Sequence, residues 1–334
     1  MTVALAELRG ALLRRLMGWA PAMPRPDDLE LGEIFAHPSF TRASPAERRA
    51  KLLASARARQ ADEREHPFDR YFGRDLAPLL NGASVLDLGC FTGGRSVSWI
   101  ERYRLREIWG IDVHPPFVAG AQLFARECGA PAHFVCAVGE ALPFASERFD
   151  AILSFDVFEH VQDLEWVLAE CRRVLRPGGR LLAVFPPYWH PTEHHLGLVT
   201  RMPCLHWFFS GRELVRAYDR VVRERGEEGA WYRRSSPDLL SWERGHTLNG
   251  TTVRGFETLV ARSGLTPVAW PVLPIFRVGR LVARQPLWRG LGQLFGVLAR
   301  LPGIREFVSH RVVAILERPL DGEPRGDDAR PLRQ

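Results

Sequence analysis

The stretch Val85-Leu86-Asp87-Leu88-Gly89-Cys90-Phe91-Thr92-Gly93-Gly94 decides the reading of this chain. An apolar run with a single acid reads as a buried strand that breaks into a glycine turn just before a helix. Strand, glycine turn and helix in that order make a nucleotide-binding turn. Gly89 and Gly93 let the backbone bend and approach a ligand closely, and the helix opening at Gly94 points free N–H groups at the site.

Which nucleotide follows from one position. A dinucleotide fold places glycine second in G-x-G-x-x-G, where the backbone must touch a pyrophosphate. Here that residue is Phe91. Its bulk crowds a diphosphate and suits a ligand without one, such as S-adenosylmethionine. A second strand, Trp109-Gly110-Ile111-Asp112, ends in an acid roughly twenty residues on, where a carboxylate accepts both ribose hydroxyls.

From about Asn81 to Pro186 the order and spacing of motifs resemble the class I S-adenosylmethionine-dependent methyltransferases. Gly139-Glu140-Ala141-Leu142-Pro143-Phe144 is similar to that family's adenine loop, and Phe149 to Asp156 to its fourth strand. Val157-Phe158-Glu159-His160-Val161, a helix and Leu175-Arg176-Pro177-Gly178-Gly179 follow, with Arg180 to Phe185 as the fifth strand. The resemblance implies that Asp87, Gly89, Cys90, Phe91, Gly93, Asp112, Val113, Gly139, Glu140 and Phe155 bind the cofactor. Two positions depart from the family: Phe91 replaces a glycine, and Val138 an aspartate that bonds the adenine amino group.

Strands alternating with helices predict an α/β, doubly wound, Rossmann-like sheet of seven strands, mostly parallel with an antiparallel last strand. Crossover helices are expected at Ser96 to Tyr103, Pro116 to Cys128 and Asp163 to Leu175, and the closing strand at Arg311 to Glu317. The domain reading is a helical segment over 1–80, a body over 81–319 with insertions at about 188–248 and 271–310, and a disordered tail over 320–334. In the first segment Leu5, Leu8, Leu12 and Leu16 share a helical face, and Ser44-Pro45-Ala46-Glu47 is a capping box that opens a helix running to about His66.

The net charge of +6 is carried almost wholly by arginine, with Lys51 the single lysine, and is weak evidence for an anionic partner. The five cysteines hold no C-x-x-C pair and mostly occupy apolar-patterned positions, which predicts buried thiols in a reducing compartment. Charges interrupt the apolar N-terminus and the best membrane-span candidate, so the chain reads as cytoplasmic. The Pro186-Pro187-Tyr188 run follows the wrong strand to be an adenine-N6 methylation motif, so no nucleic-acid partner is expected.

Three constellations carry chemistry. Asp156, Glu159 and His160 resemble the magnesium-binding cluster of quinone-biosynthetic O-methyltransferases, set against a structural role for the same residues, which is preferred. His190, His194 and His195 leave the carboxyl end of the fifth strand, where a histidine base would serve an acceptor, set against surface histidines or hydrogen-bonded loop anchors. Leu287, Leu291, Leu294, Phe295, Leu298 and Leu301 share one helical face. It reads first as packed against the protein, and second as a peripheral membrane contact or a greasy entrance for a lipid-like acceptor. The expected activity is methyl transfer to a small-molecule or lipid-linked acceptor, on oxygen. The alternatives are a non-catalytic S-adenosylmethionine-binding protein and a NAD-dependent oxidoreductase.

Overall fold

The computed structural model describes residues 3–21, 40, 42–191, 196, 199–224, 248–270, 272–275 and 286–320. His194 and His195 lie outside the described residues, as does the tail from 321. Strands β1 (Ser84–Leu88), β2 (Glu107–Asp112), β3 (Ala132–Cys136), β4 (Phe149–Phe155), β5 (Leu175–Phe185), β6 (Thr266–Ala269), β7 (Val272–Pro274) and β8 (Ser309–Glu317) form one sheet in the order β3-β2-β1-β4-β5-β8-β6. The first five run parallel, and β8 is antiparallel to β5, β6 and β7.

Among the described residues the sheet has eight strands where seven are expected. The additional one, β7, falls at the start of the second insertion and pairs with the first half of β8, while β6 pairs with the second half. A register shift within β6 and the break before Val272 divide the edge position between two short segments.

The longer helices are α1 (Val3–Trp19), α2 (Pro45–Glu65), α3 (Gly94–Tyr103), α4 (Pro115–Cys128), α5 (Leu164–Val174), α6 (Gly211–Glu224), α7 (Val253–Ser263), α8 (Pro286–Leu298) and α9 (Pro302–Val308). The strand β1 is buried along its whole length, as a central parallel strand must be when both faces are covered. Val167, Leu168 and Cys171 of α5 and Phe256 and Val260 of α7 cover one face. Trp99 and Tyr103 of α3, with Phe68, Tyr71 and Leu76, cover the other.

The two N-terminal helices go to different places. The capping box at Ser44 and Glu47 forms as expected, and α2 lies across α3 and α4 with Leu53 and Ala56 packed against Val97 and Phe124. By contrast α1 joins the first insertion: Leu13 and Met17 pack on Leu214, Ala217 and Tyr218 of α6, and Arg9 pairs with Glu213 at 2.5 Å. The face shared by the leucines is not the one that packs. Leu8 and Leu12 are exposed, because the helix turns Leu13 and Met17 inward. The face of α8 divides similarly, with Leu291, Phe295 and Leu298 half-buried and Leu294 and Leu301 exposed. All five cysteines are free, but Cys128 and Cys136 are exposed, so the expectation of buried thiols holds fully only for Cys90 and Cys171.

Candidate active site

The glycine turn leaves β1 and is pinned to the end of β2. The N–H groups of Gly89 and Cys90 both donate to Ile111 O, at 2.9 and 2.8 Å, and Gly93 N–H donates to Cys90 O at 2.9 Å. Gly89 and Gly93 both lie in the left-handed region, with φ of +86° and +77°. A Cβ on Gly93 would stand 2.8 Å from Ala121 Cβ of α4, so glycine is required there by conformation and by space. Cys90 turns its thiol into the core beside Val118 and Phe134, where burial pushes its pKa up, so toward a ligand it offers backbone.

Phe91 behaves differently from what its bulk suggests. It adopts φ +51°, the conformation glycine would supply, and its ring packs on Phe117 with centroids 4.4 Å apart. The Arg59 guanidinium of α2 stands 5.2 Å from the same ring. Side-chain packing and one hydrogen bond offset the backbone cost. That bond runs from Phe91 N–H to Asp112 Oδ2 at 3.1 Å.

Asp112 therefore clamps the turn. Its Oδ1 accepts from His114 N–H at 2.9 Å, and partial burial raises its pKa against the pull of these donors. Each oxygen of an ionised carboxylate has two lone pairs, so one remains on each for ligand hydroxyls. Asp87 faces α3 instead. It is 3 % exposed, accepts from Ser96 Oγ at 2.5 Å, and is pushed by burial up to about 7, against the Ser96 bond.

The loop after β3 is drawn against β2 by a bond from Ala137 N–H to Asp112 O, 3.1 Å long. Gly139 is buried under Val167, and the Glu140 carboxylate accepts from Gln162 and Asp163 N–H at 2.8 and 3.1 Å. The side chain of Glu140 is thus engaged in holding the approach to α5. Val113 and Val138 are exposed beside it.

At the end of β4, Phe155 is half-buried between Tyr71, 5.3 Å away, and the guanidinium of Arg95, 4.1 Å from its ring centre. Asp156 follows with φ +55°, and its Oδ1 lies 3.5 Å from Arg311 Nη2 on β8. Asp156, Glu159 and His160, for which a structural role is preferred over magnesium, form no cluster of three: no group of three potential metal ligands occurs among the described residues. Glu159 and His160 stand 3.6 Å apart, and the loop they share is fastened by Asn249, whose Nδ2 donates to Phe158 O and Val161 O.

Beyond β5 the chain enters the first insertion, whose base is closed by Tyr188 N–H donating to Thr251 O at 2.8 Å. Of the three candidate histidines, His190 is described, and its Nε2 lies 3.0 Å from His310 Nδ1. The two insertions meet beside this pair. The Phe307 ring of α9 packs on Trp189 and Trp207 at 5.3 and 5.1 Å, and Trp207 Nε1 donates to Trp189 O. Arg95, His310 and Arg311 were not singled out from sequence. The signal available was a histidine and an arginine heading the otherwise apolar run Val312 to Leu316.

Residues 86–183 match the family model described as a methyltransferase domain. The ubiquinone biosynthesis O-methyltransferase of Cereibacter sphaeroides is 39% identical over 113 residues, 33% of this chain and 45% of the relative. The demethylmenaquinone methyltransferase of Thermus thermophilus is 39% identical over 129 residues, 38% and 57% of the two chains. The chain thus spans about half the length of the curated relatives it matches. Among solved structures, the geranyl diphosphate C-methyltransferase of Streptomyces coelicolor A3(2) aligns over 84% of this chain and 85% of its own, with 16% identity and a TM-score of 0.47. The sequence match over 86–183, the strand order and the glycine turn clamped by Asp112 together identify a methyltransferase domain of the class I, S-adenosylmethionine-dependent kind within this chain.

Proposed function

We propose that this chain moves a methyl group from S-adenosylmethionine to the oxygen of a small-molecule or lipid-linked acceptor, with 81–319 as the catalytic body. The observation that carries the reading is the Asp112 clamp. One carboxylate fixes the glycine turn through Phe91 N–H and keeps acceptor capacity for ribose hydroxyls at the carboxyl end of β2. Backbone around Gly139 would meet the adenine, and the turn from Gly89 to Gly93, supported by buried Asp87, the methionine end.

When bound, S-adenosylmethionine supplies an activated methyl on a sulfonium. The protein's part is orientation: a nucleophile held in line with that methyl gains several kcal/mol of the barrier, roughly 7–11 in the best intramolecular cases. The Phe155 and Tyr71 rings border the end of β4, where they hold the guanidinium groups of Arg95 and Arg70 in place. The meeting of Trp189, Trp207 and Phe307 supplies an apolar wall on the acceptor side.

The test is ligand-induced stabilisation. A ligand that binds only the native state raises its melting temperature. S-adenosylhomocysteine should raise it and NAD should not; equal stabilisation by NAD would overturn the assignment.

A further inference from the structure

The contact between His190 and His310 joins two parts of the chain separated by 120 positions. His190 follows β5, and His310 lies at the start of β8, just before Val312 pairs with Phe185. Both therefore stand at the carboxyl end of the parallel strands. The neighbouring Arg311 reaches over to Asp156 at the end of β4, and β4 pairs directly with β1, which leads into the glycine turn. Two strand spacings separate β5 from β1 and three separate β8 from it, so the pair sits roughly 10–14 Å along the sheet from that turn.

The surroundings of His310 fix its protonation. Burial lowers its pKa to about 4, with Arg311 of β8 and Arg70 of the short helix Asp69–Phe72 adding to the effect. Arg70 is itself held, its Nη2 donating to Tyr71 Oη at 2.7 Å. That helix is anchored to α3 through Asp69, which accepts from Arg102 and from the Tyr103 hydroxyl. Asp156 meets the cluster through Arg311, and His206, near Trp189, bonds Tyr188 O. At neutral pH His310 is an uncharged imidazole with one donor and one acceptor nitrogen.

We propose that His190 takes the proton of the acceptor hydroxyl and that His310 is the positioning residue that makes it able to do so, an inference that rests on the methyltransferase reading above. A neutral His310 presents a lone pair on Nδ1 to the Nε2–H of His190. That tautomer makes Nδ1 the basic nitrogen of His190, and the bond persists when His190 becomes an imidazolium. The arrangement plays the part that a carboxylate plays behind a catalytic histidine, with a neutral ring in its place. As the hydroxyl O–H bond breaks, its proton passes to His190 and the oxygen electron pair forms the new bond to the methyl carbon. The C–S pair returns to sulfur, cancelling its positive charge, and His190 later releases the proton to water.

The residues beside the pair narrow the acceptor class. Arg70 and Arg311 favour an oxygen that gains negative charge, and Trp189, Trp207 and Phe307 favour a planar apolar body. A weakly acidic aromatic hydroxyl meets both conditions, and such a group has a pKa of about 10, which is where a base helps most.

Two phenols of similar size separate a base from a structural residue. 4-Ethylphenol keeps its proton at about pH 8.5, whereas 4-nitrophenol has already lost it. His190→Gln should slow methylation of 4-ethylphenol about 100-fold and of 4-nitrophenol less than about threefold. His310→Asn keeps an acceptor atom near the Nδ1 position and should retain most activity. His310→Leu should lose about tenfold on 4-ethylphenol and move the acid limb of its pH profile, without slowing 4-nitrophenol comparably. Calorimetric binding of S-adenosylhomocysteine should be unchanged in all three variants, and histidine NMR of the wild type should show one imidazole that stays neutral down to about pH 5, absent in His310→Asn. Equal losses on the two phenols, or equal behaviour of the Asn and Leu variants, would overturn the proposal. So would failure of a wild-type protein that binds S-adenosylhomocysteine to methylate either phenol; failure to bind that ligand would instead overturn the methyltransferase reading.

Discussion

Val157 fills the space that a side chain would need at Gly89: a Cβ built on that glycine would overlap Val157 Cγ2. Val157 belongs to the loop after β4, so glycine at position 89 is demanded by a neighbouring strand as well as by its own φ of +86°. Gly89→Ala should therefore destabilise twice over, by about 1–3 kcal/mol from overpacking and about 1–2 from left-handed backbone. Adding Val157→Ala should return the first contribution and leave the second. Urea unfolding of the two single variants and the double variant reads the coupling, and simple additivity would refute it.

Asp112→Ala should weaken S-adenosylhomocysteine binding and also loosen the turn. Its carboxylate accepts from two backbone N–H groups, one of them on a residue with positive φ. Bonds to a charged partner are worth about 1.5–3 kcal/mol, so affinity should fall at least about tenfold while the protein stays folded. Hydrogen exchange at the Phe91 and His114 amides should speed up in the variant. Wild-type affinity with unchanged exchange would remove Asp112 from both roles.

Stability should decline as pH rises through the weakly acidic range. Glu63 of α2 is buried, accepts from Phe68 N–H at 2.7 Å, and is pushed by burial up to about 7, as Asp87 is. The unfolded chain releases these protons near pH 4 and the folded chain near 7. Over that window the folded state holds more protons, and stability falls by about 1.4 kcal/mol per pH unit per group before levelling off. Glu63→Gln should flatten its share of the slope and be relatively more stable at pH 8 than at pH 5. Urea midpoints of both proteins across pH 4 to 8 check the sign, and parallel curves would refute it.

Glu306 ties the second insertion to the body of the fold. Its two carboxylate oxygens accept from Val253 and Arg254 N–H at 2.9 and 2.8 Å, at the opening of α7, while Thr252 caps Gly255 N–H. A carboxylate there satisfies amides that the helix leaves unpaired and complements its dipole. Glu306→Ala should cost about 1–3 kcal/mol in urea unfolding, more than Thr252→Ala. The reverse order would show that α9 is not fastened through this residue.

What the sequence made legible was the repeating part. Apolar strands, the Ser44 cap, the helix opening at Asp163 and the glycine turn are local signals, and each was read within a few residues of its place. The division of the edge between β6 and β7 was not legible, because it depends on how a long β8 is partnered. The inward face of α1 was not legible for the same kind of reason. Leucines at helical spacing mark an apolar stripe, but the partner that buries Leu13 and Met17 lies about 200 positions away. In the site, Gly89, Gly93 and Asp112 were visible as motif positions. His310 and Arg311 were not, since only the antiparallel return of β8 carries them to the end of β5.

That return has a consequence for a chain still being made. The glycine turn, the Asp112 clamp and all five parallel strands are complete in residues 84–185, while β8 ends at Glu317. Before β8 leaves the ribosome, the residues of the glycine turn and the parallel strands have all been made, but the edge of β5 is unpaired, both faces of the core lack their β8 side chains, and His190 has no His310. Closing the sheet and finishing the proton-accepting end of the site are one event, the docking of a single nine-residue strand. Until it docks, neither the sheet nor the histidine pair is complete.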